Sequence, residues 1–211
     1  MRFTTRDRRI MRFIEDFGAA NTRQLHTLFF HGVSLRSCQR ALARLAAAHA
    51  LQRCRSYVCE DYLYYVGKAP VQAAHALLRV DAYIGLKAAY RLVDFVPEFT
   101  LGRLRADAYF EVWDAGKVTP YFLEVQRSKG FDQSKYDALY ASYEWRERWP
   151  EFPQVVVLAG RPVRLRHSNV RFTVLDIDRP KWETGVRPTK TETPVTAYRE
   201  RMGIPKGTFQ L

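Results

Sequence analysis

Two carboxylates stand out from apolar runs in the middle of the chain. They are Asp107 in Arg105-Ala106-Asp107-Ala108-Tyr109-Phe110 and Glu124 in Tyr121-Phe122-Leu123-Glu124-Val125-Gln126. Both runs are rich in aromatic and β-branched residues and read as strands. The turn Asp114-Ala115-Gly116-Lys117 between them predicts a hairpin. Acids on adjacent strands of a hairpin can converge on one divalent cation. Hard oxygen donors that leave positions for water suit Mg²⁺ or Mn²⁺. Such an ion polarises a phosphodiester and activates a water. The plainer reading makes each acid an edge-strand partner of Arg105 or Arg127.

A second chemistry is polyanion binding. The chain carries 34 Lys+Arg against 22 Asp+Glu, a net charge of +12. Residues 1–55 hold eleven arginines, no lysine and three acids (Asp7, Glu15, Asp16), a net of +8; the rest of the chain supplies +4. Arginine is the side chain best suited to bidentate contacts with phosphate and guanine.

The elements that must position these arginines follow from caps and periodicity. A first helix is expected from Thr4 or Thr5, with Asp7 favourably placed in its first turn. Ile10, Phe13, Ile14 and Phe17 form its buried stripe and Gly18 ends it. Asn21-Thr22-Arg23-Gln24 reads as a capping box opening a short helix, with Leu25, Leu28 and Phe29 inward. After the turn His31-Gly32-Val33, Ser34 caps a third helix. Leu35, Cys38, Leu42, Leu45 and His49 make its inner face, and Arg36, Arg40 and Arg44 the opposite one, flanked by Ser37 and Gln39. That is how a recognition helix is presented to a major groove. Runs at 51–58 and 62–66, joined by Cys59-Glu60-Asp61, predict a wing from which Arg53 and Arg55 reach phosphates. Residues 1–68 therefore read as a winged helix-turn-helix for double-stranded DNA. A protein-interaction module with an incidental arginine face is the alternative. Cys54 and Cys59 are expected to be buried.

Around the acids the expected order is a helix at 72–92 and strands at 93–101, 106–113 and 119–127. A helix at 131–149, with Tyr136, Leu139, Tyr140 and Tyr143 inward, and strands at 154–159 and 170–177 complete it. Residues 69–179 thus form an α/β (α+β) sandwich around a mixed sheet. Residues 180–211 read as an extended basic tail, with Trp182 a candidate anchor.

Length and composition exclude several classes. At 211 residues and 47% hydrophobic the chain folds rather than staying disordered. No run approaches the roughly 18 apolar residues of a membrane span, and no secretory leader is recognisable at the start. Three cysteines in no metal-ligand spacing fit a reduced, cytoplasmic protein. There is no His-x-His pair for a tyrosine relaxase, no P-loop and no Gly-x-Ser-x-Gly.

Asp107, followed by Glu124-Val125-Gln126 and a helix, resembles the PD-(D/E)xK nuclease core. More narrowly, residues 5–160 resemble the replication-relaxation proteins of plasmids and integrative elements, related to MOBC-class relaxases. Asp107-Ala108-Tyr109-Phe110 and Phe122-Leu123-Glu124-Val125 carry that likeness, as do the Arg-Asp near the first helix start and Gln24-Leu25 before Leu28-Phe29-Phe30. The resemblance implies metal-dependent DNA nicking during replication or conjugative mobilisation. Asp107 and Glu124 would hold Mg²⁺ or Mn²⁺, with Asp81 as a further acid. Gln126 stands where such nucleases usually carry Lys; a neutral amide can orient a water but cannot offset phosphorane charge. Lys129 or Lys135 would substitute. A non-catalytic regulator or accessory factor with a degenerate nuclease domain is the main alternative, and a structure-selective nuclease a third. Other replication or mobilisation proteins are implied as partners, and the oligomeric state, a homodimer included, stays open.

Overall fold

The computed structural model describes residues 2–55, 58, 60–114, 116–127 and 130–186. They divide into two compact units, the first ending at Ile84 and the second beginning at Gly85. The division falls inside a helix rather than near residue 68.

The first unit starts where a threonine can cap a helix. Helix α1, Thr5–Phe17, opens on a reciprocal box: the Thr4 hydroxyl accepts from the Asp7 N–H at 3.1 Å, and the Asp7 carboxylate accepts from the Thr4 N–H at 2.9 Å. Gly18, at φ +85°, closes it. Strand β1, Ala20–Asn21, leads into α2, Thr22–Phe29, through the expected Asn21/Gln24 box. Helix α3, Leu35–Ala47, is capped by Ser34. Strands β2, Gln52–Cys54, and β3, Leu63–Tyr65, pair antiparallel, and β1 adds to β3, giving the order β1-β3-β2. Ile10, Ile14, Leu25, Cys38, Leu42 and Leu45 are all fully buried, and each large aliphatic side chain among them contributes about 1.5–3 kcal/mol.

Several expectations need correction here. Leu35 is exposed, and His49 lies beyond the end of α3 at φ +56°, so neither belongs to its inner face. The two-residue strand β1 was not expected. Cys54 is exposed rather than buried, and Cys59 lies outside the described residues. Helix α4, Ala73–Ala89, is shorter than the predicted 72–92. Its part up to Ile84 belongs to this unit because Tyr83 packs on Phe13 and Phe17, and the Arg79 guanidinium donates to the Phe17 carbonyl at 3.0 Å.

In the second unit, β4 (Arg91–Pro97), β7 (Ala108–Asp114) and β8 (Lys117–Gln126) form an antiparallel meander, and β9 (Gln154–Ala159) and β10 (Phe172–Asp176) run parallel to β8. The five-stranded mixed sheet has the order β10-β9-β8-β7-β4. Pairing with β7 draws Arg91 and Leu92 into β4 instead of α4, with the Arg91 guanidinium over the Trp113 ring. The predicted run 93–101 is broken by a small hairpin, β5 (Thr100–Leu101) and β6 (Leu104–Arg105). Helix α5 spans only Ser134–Ser142, because Tyr143 turns left-handed at φ +60° and is exposed, not inward; a 3-10 turn, Glu144–Glu147, follows. On one face of the sheet Tyr109 of β7 and Phe122 of β8 share a core with Tyr136, Leu139, Trp145 and Trp149. Helix α6, Trp182–Gly185, buries Trp182 as an anchor; the tail from residue 187 lies outside the described residues. Among the described residues no helix is long and apolar enough to cross a membrane.

Candidate functional site

The β7–β8 hairpin sets the two acids against each other. Its register ends with Ala108 paired to Leu123, and Asp107, the residue before Ala108, lies close enough for its charge to act on Glu124. Asp107 sits in the short link between β6 and β7, where its Oδ2 accepts from the Val125 N–H at 2.7 Å. Glu124 is on the face of β8 under α5 and is 2% exposed. Its Oε1 accepts from the Tyr136 hydroxyl at 2.5 Å and from Lys135 Nζ at 2.6 Å; its Oε2 accepts from Gln126 Nε2 at 3.4 Å. Lys135 Nζ also donates to the Arg105 carbonyl at 2.6 Å, so one ammonium ties β6 to the buried acid.

Four of the residues expected from sequence therefore meet: Asp107, Glu124, Gln126 and Lys135. Lys129 lies outside the described residues. Asp81 does not join them. Its carboxylate accepts from Gln24 Nε2 at 2.7 Å within the first unit, and no cluster of three or more metal-type side chains occurs among the described residues. Among the described residues no arginine is paired with Glu124: the Arg105 guanidinium lies 3.8 Å from Glu98, and the cation on Glu124 is Lys135.

The electrostatics follow from this packing. Burial pushes the Glu124 carboxyl up, the charge of Asp107 adds to the rise, and Lys135 and the Tyr136 hydroxyl offset only part of it. Burial, with Glu124 beside it, keeps the Tyr136 phenol protonated far above its ordinary range, so it acts as a donor. Sequence reading placed Tyr136 in the core but missed its hydroxyl. The adjacent Lys135-Tyr136 in the first turn of the helix after Glu-Val-Gln was the available signal. A groove of ≈ 420 Å³ lies beside Lys135, between the β5–β6 turn at Gly102-Arg103 and the α5 residues Ala138, Leu139 and Ser142.

Carboxylates are the donor type that Mg²⁺ and Mn²⁺ take, one or two per ion with water in the other positions; here both Glu124 oxygens already accept from Tyr136, Lys135 and Gln126. Lys135 supplies the positive charge on that site.

On the first unit the predicted DNA contacts separate into free and engaged groups. Arg36, Gln39 and Arg40 are exposed on α3. Arg44 is not available: its Nη2 lies 2.8 Å from both carboxylate oxygens of Asp7, whose side chain is wholly buried. Ser37 is occupied with the helix cap, its hydroxyl hydrogen-bonded to that of Ser34 at 3.1 Å. Arg53 and Arg55 each stack at 4.6 Å from the Tyr62 ring centre, and Arg55 Nη1 also donates to the Val58 carbonyl at 2.9 Å, which holds two exposed guanidiniums on the β2–β3 hairpin. No family model, curated protein or solved structure matches the chain.

Proposed function

We propose that this protein binds double-stranded DNA through its first unit and nicks it, or assists nicking, through its second, in the replication or mobilisation of a plasmid or other mobile element. The observation that carries the reading is Asp107 beside Glu124, its carboxylate accepting from the Val125 N–H, with Lys135 Nζ 2.6 Å from Glu124. The order helix, strand, helix, helix, hairpin in residues 5–65 supports a winged helix-turn-helix, with Arg36 and Arg40 as groove contacts and Arg53 and Arg55 on the wing. The antiparallel meander with an acid on each of two neighbouring segments, then a helix and a parallel strand, supports a PD-(D/E)xK-like domain and the likeness to replication-relaxation proteins.

In this reading Asp107 and Glu124 would hold Mg²⁺ or Mn²⁺, which supplies polarisation of the phosphodiester and an activated water. Tyr136 fixes the Glu124 carboxylate by its hydroxyl. Gln126 orients polar groups at the mouth of the site without adding charge. Lys135 provides the positive charge that the Gln at 126 lacks, donated from α5 instead of β8.

Incubation of supercoiled plasmid with Mg²⁺ or Mn²⁺ tests this. Open circles are expected, with Asp107→Ala and Glu124→Ala inactive and Lys135→Ala reduced about 10²-fold, the scale of losing one charge-stabilising donor. No nicking with either metal overturns catalysis. It would favour the second reading, a non-catalytic DNA-binding regulator or accessory factor, which the engagement of Glu124 by Lys135 also suits.

A further inference from the structure

The second unit carries a concentration of charge that the acids obscure. Between β9 and β10 the chain runs Gly160-Arg161-Pro162-Val163-Arg164-Leu165-Arg166-His167-Ser168-Asn169-Val170-Arg171, four arginines and no acid. All four are exposed, and none has a carboxylate partner among the described residues. The segment has no helix or strand of its own, yet it is fastened along its length. Val163 packs against the core and Val170 is buried in it. The buried Gln133 side chain clips both backbone groups of Arg166, accepting from its N–H at 2.9 Å and donating to its carbonyl at 3.2 Å. The Ser168 hydroxyl donates to Asp137, and accepts from the Val170 N–H at 2.9 Å. Gln133 and Asp137 flank Lys135 and Tyr136, so the same turn of α5 holds the strap on one side and Glu124 on the other.

We infer that this strap, residues 160–171, is a second nucleic-acid contact, which binds the phosphodiester backbone through Arg161, Arg164, Arg166 and Arg171. The backbone is fixed by polar clips and apolar pins while the guanidiniums are left free. Such an arrangement spares a polyanion the ordering cost of a flexible basic loop. Guanidiniums pair with phosphates bidentately. Leu165 is the strap's one exposed large apolar side chain, which offers no apolar seat for a protein partner or a bilayer. The inference rests on the nucleic-acid reading above but not on nicking, nor on α3.

The test uses the full chain in EDTA, with fluorescent single-stranded and duplex oligonucleotides titrated between about 50 and 200 mM salt. Arg164→Ser/Arg166→Ser is compared with Arg164→Lys/Arg166→Lys and with Arg36→Ala/Arg40→Ala. The strap serine variant is expected to bind both probes about tenfold more weakly. Its log K against log salt slope should flatten by about 1.4 on single strands, at about 0.7 for each phosphate neutralised. The lysine variant should keep the slope, and the weakening should recur in the Arg36→Ala/Arg40→Ala background. Unchanged affinity and slope overturn the inference, as does a loss of binding to phosphatidylserine vesicles with none to DNA. If Arg36→Ala/Arg40→Ala alone abolishes binding to both probes, the strap fails while the α3 reading stands. Absence of nicking has no bearing on either.

Discussion

Asp7 and Glu124 are both buried carboxylates with a cationic partner, yet their pKa values move in opposite directions. At Asp7 burial raises the pKa, but the Thr4 N–H and hydroxyl and the Arg44 guanidinium outweigh it, and the carboxyl is held below its ordinary value. At Glu124 burial and the neighbouring Asp107 win. The consequences for stability are opposite in sign. The contribution of Asp7 is present above the ordinary Asp value of 3.8 and is lost as pH falls through its depressed pKa. The contribution of Glu124 is complete below the ordinary Glu value of 4.5 and is lost as pH rises through its raised pKa. Urea unfolding from about pH 4 upward should therefore show Glu124→Gln losing less stability with rising pH than the unchanged chain. Equal slopes for the two would show that Glu124 is not raised. The Arg44–Asp7 pair separates structure from recognition in the same way. Removing one partner of a buried ion pair typically costs about 3–5 kcal/mol. With Arg44 itself 40% exposed, the expected cost of Arg44→Ala is about 2 kcal/mol. Arg36→Ala and Arg40→Ala should leave stability unchanged in the same melts and weaken duplex binding by gel shift. Each should lower the salt slope by about 1, the share of a single phosphate.

At the scale of elements, α1 to α3 were legible because each carries its own start signal. Thr4/Asp7, Asn21/Gln24 and Ser34 are local caps, and the apolar spacing behind them is helical. Strand β1 was not, since a two-residue strand has no period and exists only because Ala20 and Asn21 meet Tyr64 and Leu63. The end of α4 and the start of β4 were misplaced for the same reason: Arg91 and Leu92 take the conformation that pairing with Trp113 and Val112 rewards. Gly85 shows how a packing constraint can oppose local propensity. In an exposed helix Gly→Ala gains about 1 kcal/mol, but here a Cβ would overlap the Trp182 indole, which is buried. Gly85→Ala should destabilise by about 1–3 kcal/mol and Trp182→Ala should relieve that specific penalty in a double-mutant cycle. A stabilised Gly85→Ala chain would place Trp182 elsewhere.

Over the whole molecule the +12 charge resolves into separate surfaces. Some arginines of the first unit are spent on carboxylates, Arg44 on Asp7 and Arg23 on Asp61 at 3.0 Å. Those left for a polyanion include Arg36, Arg40, Arg53 and Arg55, which at about 0.9 per duplex phosphate would give a salt slope of about −3.6. With the strap added the slope for the intact chain should be steeper than about −4, measured by anisotropy; a slope no steeper than about −3.6 would confine DNA to the first unit. The sequence by itself determined the capped helices, the strand-like character of the runs around Asp107 and Glu124, and where arginine is dense, because caps, periods and composition are local properties. Only the tertiary structure decided which charges are free and which are neutralised. Asp7 takes Arg44 across 37 residues of chain, Gln24 takes Asp81 across 57, and Glu124 receives Lys135 and Tyr136 from the following helix. Those pairings follow from which buried faces pack together, and an ionic partner is chosen by distance and desolvation rather than by position along the chain.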